Sequence, residues 1–399
     1  MVEADGGPST GWQPTLAVVG ATGAVGKVVL DVLPTRHSHW ASVRLAAGAE
    51  DVGSVLRVAG QDVVVEALTP EFFDGIDVAI FDIPPAIARE WVERAAARGV
   101  VAIDNSTEFR TEPDVPLVVP EVNPRQVADR PRGIIANPGA TVMTMIDALA
   151  VLHAAWELTE LVITTLQAAS GLGRAGISRL HDELDVVHGD RELGTRPGDV
   201  RRLIEHELGE SVFPAPLVLN VIPFVGHHVG DGWTSEEVKV RDETRKILGI
   251  PHLPVSATCV RVPVVSSHSV IVHATFARRV RVADARQALV EAPTIVVLDD
   301  PDEPEFPTPN DVVGADPRFA GRIRQAPEAP MTLDLFISGD NLRKGAALNM
   351  VQTAELVARD LRSGATMDSR APGTTDRPPG TTDRPSPARP SPSHRRSAP

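Results

Sequence analysis

The chain has 399 residues and an apolar fraction of 42%, enough for two ordinary domains and a sizeable core. Its net charge of −14 argues against nucleic-acid and anionic-membrane partners, and no apolar run reaches the roughly 18 residues of a transmembrane helix. The one cysteine, Cys259, excludes an intramolecular disulfide and a cysteine-cluster metal site, and the histidines lack zinc-type spacing, so no metal is expected.

Residues 1–14 are acidic and polar without a signal-peptide layout, and they read as a loose leader on a cytoplasmic protein. Thr15 to Val19 is a short apolar run that predicts a buried strand. Gly20-Ala-Thr22-Gly23-Ala24-Val25-Gly26 follows, then a helical period from Lys27 to Leu33 closed by Pro34. Strand, glycine turn and helix open a dinucleotide-binding βαβ unit. The glycines let the backbone approach a pyrophosphate, and the helix N-terminus offers amide donors. The spacing is G-x-x-G-x-x-G rather than G-x-G-x-x-G, so a tight turn without a ligand stays open as a reading.

Further strands are expected at Val43 to Ala46, Val63 to Ala67, Val78 to Phe81, Val100 to Ile103 and Gly133 to Ile135, with a helix at Ala86 to Arg98. Strands alternating with helices predict a doubly wound, mostly parallel sheet. After residue 140 the texture is α+β. Met143 to Ala155 is helical and Thr159 to Gln167 is β-rich. Arg174 to Leu208 is mostly helical, and Lys239 to Leu248 has helical period. Val255 to Val265 and Ser269 to Val280 read as two adjacent strands. Leu342 to Arg362 is an amphipathic helix that can return to the first domain. From Ser363 the chain repeats Pro-Gly-Thr-Thr-Asp-Arg-Pro with almost no apolar side chains, and it is expected to be disordered. The expected plan is a Rossmann-like domain at 15–140, an α+β catalytic and dimerisation domain at 141–341, a C-terminal helix at 342–362 and a tail at 363–399.

Eight motifs occur in order: the Gly20–Gly26 turn, Asp104-Asn-Ser-Thr-Glu-Phe-Arg110, Val118-Val-Pro-Glu-Val-Asn123, Gln167-Ala-Ala-Ser-Gly171, Asn220-Val-Ile-Pro223, Glu236-Glu-Val-Lys239, Ser256 to Pro263 with His268-Ser269, and Asp340-Asn341 to Ala347. Over residues 15–362 the chain resembles the aspartate-semialdehyde dehydrogenase family. The resemblance implies a Rossmann domain, a dimerisation domain and a homodimer or homotetramer. It also implies NADPH-dependent reduction of an aspartyl phosphate through a cysteine thioester. It places Arg261 on the substrate carboxylate, His268 as acid/base and Gln167 beside the nucleophile. Arg110 and Lys239 fall on the phosphate-holding pair, Asn137 beside the nucleophile position among the substrate-binding residues, and Asn341 on the cofactor side. Glu236 or Glu237 is left to meet an amino group, with Glu237 preferred.

Three departures stand out. Where the family has Asn-Pro-Asn-Cys, this chain has Asn137-Pro-Gly-Ala140. Ala140 cannot form an acyl-enzyme, and Cys259, where relatives carry a cysteine in addition to the nucleophile, is not read as its substitute. After the second strand, Glu50 and Asp51 stand where the family holds the 2′-phosphate of NADP, which favours the ribose of NAD. A Ser-Ala-Gly-Gly loop is replaced by Asp82-Ile-Pro84-Pro85, where proline removes a donor and compromises backbone approach to the cofactor. The substrate-holding charges remain. An oxidoreductase acting on an aspartate-like, possibly phosphorylated substrate without a thioester is therefore expected. A repurposed non-redox enzyme and a non-catalytic partner subunit are the alternatives.

Overall fold

The computed structural model describes residues 12–36 and 40–368; most of the leader and most of the repeat tail lie outside the described residues. The first sheet has seven strands in the order β3-β4-β2-β1-β5-β6-β7. They are β1 (Thr15–Val19), β2 (Ser42–Ala47), β3 (Val55–Val58), β4 (Gln61–Ala67), β5 (Val78–Phe81), β6 (Val101–Asp104) and β7 (Ile134–Ala136). All pairings are parallel except β3 with β4. The buried β1 residues, Leu16 to Val19, explain the apolar run: both faces of a central parallel strand are covered. Helix α1 (Ala24–Val32) follows the glycine turn, and α2 (Pro85–Ala96) follows β5.

Chain direction across the sheet switches at β1, which has β2 on one side and β5 on the other. Ligands of such sheets bind beyond the carboxyl ends of the strands at this switch. Gly20, after β1, and Asp82, after β5, both lie there, because Val19 pairs with Phe81. Asn105, after β6, is the next neighbour, since Phe81 pairs with Asp104.

Helices α3 (Ala140–Met143) and α4 (Ile146–Trp156) lead to the second sheet. Its β8 (Leu158–Gln167) is followed by α5 (Gly173–Val187) and α6 (Asp199–Leu208). A small antiparallel ribbon of β9 (His228–Gly230) and β10 (Trp233–Thr234) then precedes α7 (Ser235–Leu248). β11 (Val255–Arg261), β12 (His268–Phe276), α8 (Val282–Glu291), β13 (Ile295–Val297), α9 (Pro309–Val312), β14 (Arg318–Arg324) and β15 (Thr332–Gly339) complete the domain. The order is β11-β8-β12-β15-β14-β13. Thus β11 and β12, read from sequence as adjacent strands, are not adjacent: β8 lies between them, parallel to the first and antiparallel to the second.

After β15 the chain makes a π-helical turn over Arg343–Ala347, with Ala347 N–H bonding Leu342 O and Leu348 N–H bonding Arg343 O. Such turns concentrate at functional sites. Helix α10 (Leu348–Asp368) then returns to the first sheet, burying Met350, Val351, Ala354 and Val357 against the cluster that holds Leu16, Val18 and Leu45. No helix among the described residues is long and apolar enough to cross a membrane.

Candidate active site

Sheet register builds the catalytic edge. Arg261 ends β11 in register with Gln167, which ends β8, while His268 opens β12 beside them. Gln167 therefore meets Arg261 and His268, from a distant part of the sequence, at one corner of the second sheet. They line a cavity of about 550 Å³ that also takes in Arg110, Ala140, Glu236 and Lys239, and extends to Gly23, Ala24, Val25 and Asn341.

Arg261 donates from Nη1 to the Ala168 carbonyl at 2.6 Å, which fixes its fork. A Cβ at Gly171 would lie 2.5 Å from the same nitrogen, so glycine is required beside the guanidinium. His268 accepts on Nδ1 from the Ala168 amide at 3.1 Å. The neutral ring must then carry its proton on Nε2. Burial, reinforced by Arg261, pulls the imidazole down to about 3, so it is uncharged near neutral pH. The preceding residue, Ser267, has φ +75°, an uncommon conformation for serine that is held by its amide bond to Asn341 Oδ1. Asn341 Oδ1 also accepts from Ser170, so this residue clamps two loops at the cavity wall.

Two adjacent glutamates have opposite fates. Glu237 is spent on structure: Thr234 caps α7, and the Glu237 carboxylate accepts from the Thr234 and Cys259 amides. Glu236, not Glu237, lines the cavity, and its carboxylate contacts Thr141 at 2.8 Å, Gln167 at 3.3 Å and Lys239 at 2.8 Å. Burial alone would raise Glu236, but Lys239, Thr141 and Arg110 together bring it to about 2, so it is anionic. A Thr-x-x-Glu capping pattern was the sequence signal that separates the pair.

Arg110 pairs with Glu243 at 3.1 Å, and Glu243 also receives the Gly139 amide at 2.7 Å, fixing the loop before Ala140. Glu243 lies seven residues after Glu236 on α7, hence on the same helical face, and sequence reasoning missed it. Asn137 sits behind the cavity in an amide chain: Asn349 donates to Asn137, Asn137 to Asn105, and Asn105 to Asp82. Ala140 is the first residue of α3 and faces the cavity without a reactive group. Cys259 is fully buried and does not line the cavity, and burial pushes its thiol up to about 12.

The turn of β1 into α1 suits a dinucleotide in its backbone. A Cβ at Gly20 would sit 2.1 Å from the Asp82 carbonyl, and one at Gly26 would sit 2.2 Å from the Gly20 carbonyl. Helix α1 has no side-chain cap, so the amides of Ala24 and Val25 are free to meet a phosphate. Thr22 is turned toward α5, its carbonyl accepting from Arg174. Glu50, in the turn after β2, lies outside the cavity lining with its carboxylate against Gly48. Pro84 and Pro85 do not enter the cavity. They are the cap and first residue of α2, where a missing N–H costs nothing. Of the cofactor-side departures, Asp82 is the one that enters.

Two family models match: "Semialdehyde dehydrogenase, NAD binding domain" over residues 15–130 and "Semialdehyde dehydrogenase, dimerisation domain" over residues 149–344. Aspartate-semialdehyde dehydrogenase of Streptomyces akiyoshiensis is 43% identical over 349 residues, covering 87% of this chain and 99% of the relative. The same enzyme of Mycolicibacterium smegmatis is 40% identical over 353 residues, with 87% and 99% covered. Among solved structures, aspartate semialdehyde dehydrogenase II of Vibrio cholerae complexed with ASA superposes with a TM-score of 0.79 at 34% identity, covering 88% of this chain and 99% of that one. With both domains matched and identity of this extent, the chain belongs to the aspartate-semialdehyde dehydrogenase family of NAD(P)-dependent oxidoreductases.

Proposed function

We propose that this chain is an oxidoreductase acting on an aspartate-like amino-dicarboxylate or semialdehyde, free or phosphorylated, without a cysteine thioester, in a specialised amino-acid-derived pathway. The observation that carries the reading is the convergence of Arg261, Glu236, Lys239, Gln167 and His268 on Ala140, with the only thiol buried away from the cavity. Arg261 takes the α-carboxylate through the edge of its fork not used by Ala168. Glu236 takes the ammonium group. Arg110 and Lys239 supply positive charge to a phosphate or second carboxylate. NAD is favoured over NADP because Glu50 and Asp51 repel a 2′-phosphate. A bound nicotinamide supplies or accepts the hydride. His268, neutral, donates a hydrogen bond from Nε2–H to the reacting carbonyl oxygen and stabilises the negative charge that develops there, the proton itself coming from solvent.

Two copies pair through the outer face of the second sheet, where Val162 and Ile271 are exposed and Phe336 lies opposite Ile271. Ile271→Glu should convert the homodimer, or the dimer within a homotetramer, to smaller species by light scattering; an unchanged mass would refute that face.

The test of the activity is the phosphate-dependent oxidation of aspartate semialdehyde with NADP or NAD. The expected rate is at least about a thousandfold below that of an enzyme with its nucleophile, with a trace regained in Ala140→Cys. Ordinary activity in the unaltered protein would overturn the reading. Asp82 in the cofactor cavity favours a second one, non-redox chemistry on the same substrate, and turnover that needs no NAD(P)H would establish it.

A further inference from the structure

At the switch point of the first sheet, the Asp82 carboxylate is turned into the dinucleotide cavity. Its Oδ1 accepts from Asn105 Nδ2 at 2.8 Å. Its Oδ2 lies 3.5 Å from where a Cβ on Gly23 would be, so it faces the turn whose following amides open α1. Those amides are the donors for a pyrophosphate, and an ionised carboxylate there competes for them and repels the ligand's negative charge.

Among the described residues no cation is paired with it. Arg110 is engaged by Glu243, Arg174 on α5 by the Thr22 carbonyl, and Arg89 on α2 by Glu108 and Glu112. Lys27 on α1 is exposed, and Lys344, after β15, is bound to Glu121. Across the cavity Lys239 pairs with Glu236, Arg261 binds Ala168 and His268 is neutral. Asp104, which pairs with Phe81 on the neighbouring strand, is bound to Ser106. The amide chain Asn349–Asn137–Asn105 ends on Asp82 and holds it in place.

We propose that Asp82 makes dinucleotide binding proton-linked: the cavity accepts the pyrophosphate with this carboxyl protonated, and about one proton is taken up as NAD binds. This rests on the dinucleotide reading above. Burial already raises Asp82 from the ordinary carboxyl range, with the Asn105 bond opposing, and an adjacent pyrophosphate raises it further. The protonated form is populated below that pKa, so affinity is highest at low pH and falls as pH rises.

The test is titration calorimetry with NAD, whose pyrophosphate does not change charge in the range, from pH 5.5 to 8.5 in buffers of differing ionisation enthalpy. In the unaltered protein the Kd should rise by up to about tenfold per pH unit above the Asp82 pKa, with proton uptake in the binding heat. Asp82→Ser, the residue type of the family pattern, and Asp82→Asn, which keeps an oxygen for Asn105, should flatten the pH profile and bind NAD about tenfold or more tightly at pH 8. A flat profile in the unaltered protein, weaker binding in both variants, or a slope that persists in both and so belongs to another group such as Asp104, would overturn the proposal. Absence of NAD binding in all three proteins at every pH would remove the dinucleotide reading itself.

Discussion

Asp104, the last residue of β6, is fully buried, and its Oδ1 has no hydrogen-bond partner among the described residues, while Ser106 donates to Oδ2 at 2.5 Å. Burial pushes the carboxyl up to about 6, against the bonds from Ser106 and the field of Arg110. Below the unfolded value of 3.8 the group is protonated in both states and costs nothing. Between there and about 6 the folded protein holds a proton that the unfolded chain has released, so stability falls as pH rises. The loss amounts to up to about 3 kcal/mol. Asp104→Asn keeps an acceptor for Ser106 and removes the charge. It should raise the melting temperature at pH 7.5 and change it little at pH 4; a lower temperature at pH 7.5 would show that the ionised form is what the fold requires. Asp104 could be read from sequence as part of a motif, but its orphaned oxygen could not. Glu236 and Glu237 make the same point in reverse. Adjacent helical residues point about 100° apart, so sequence named both and only the cap at Thr234 decides which one faces the cavity.

Among the elements, β1, the glycine turn and α1 were the most legible, because apolar run, glycines and helical period each have one physical explanation here. Gly26 is fixed by packing: its hydrogen faces the Gly20 carbonyl, where a methyl would stand at 2.2 Å. Gly26→Ala should therefore push α1 off the turn, destabilise the protein by about 2–4 kcal/mol and abolish nucleotide binding. Urea unfolding with an unchanged midpoint would show that the turn can relax. The second sheet was less legible. Each of β8, β11 and β12 was foreseen as β-rich, yet nothing in their own residues says that β8 inserts between the other two, because strand order is set by cross-sheet packing rather than by local pattern. Pro84 and Pro85 were read as a blocked cofactor loop and prove to be a helix start. The same dipeptide serves either purpose, and only the position of the next hydrogen bonds, from Ile87 and Ala88 to the Pro84 carbonyl, distinguishes them.

At the scale of the molecule, the chain must return from the second sheet to the first, and it does so through a buried charge. Lys344, in the π-helical turn, is 2% exposed and donates to both oxygens of Glu121 at 2.7 and 2.9 Å, with Asn349 and Gln352 as further acceptors. Glu121 belongs to the connection between β6 and β7, so this cluster fastens α10 and the wall formed by Leu342 and Ala346 to the first sheet. Burial, with Arg318 nearby, lowers Lys344 from 10.5 to about 8. Burial alone would raise Glu121, but Lys344 and Arg318 bring it below its ordinary value. A paired ion inside the protein contributes little net stability, whereas removing one partner leaves the other uncompensated at a cost of about 3–5 kcal/mol. Glu121→Gln should impose that cost at pH 7. The lowered Lys344 pKa means that the unfolded chain binds more protons than the folded one in the window up to 10.5, so stability rises with pH there. Without Glu121 the ammonium is easier to deprotonate and the window opens at lower pH. The deficit of the variant in guanidinium unfolding should accordingly be largest at pH 7 and shrink by pH 9.5, where Lys344 sheds its proton. An equal deficit at both pH values would mean that shape, not charge, holds α10 against the first sheet.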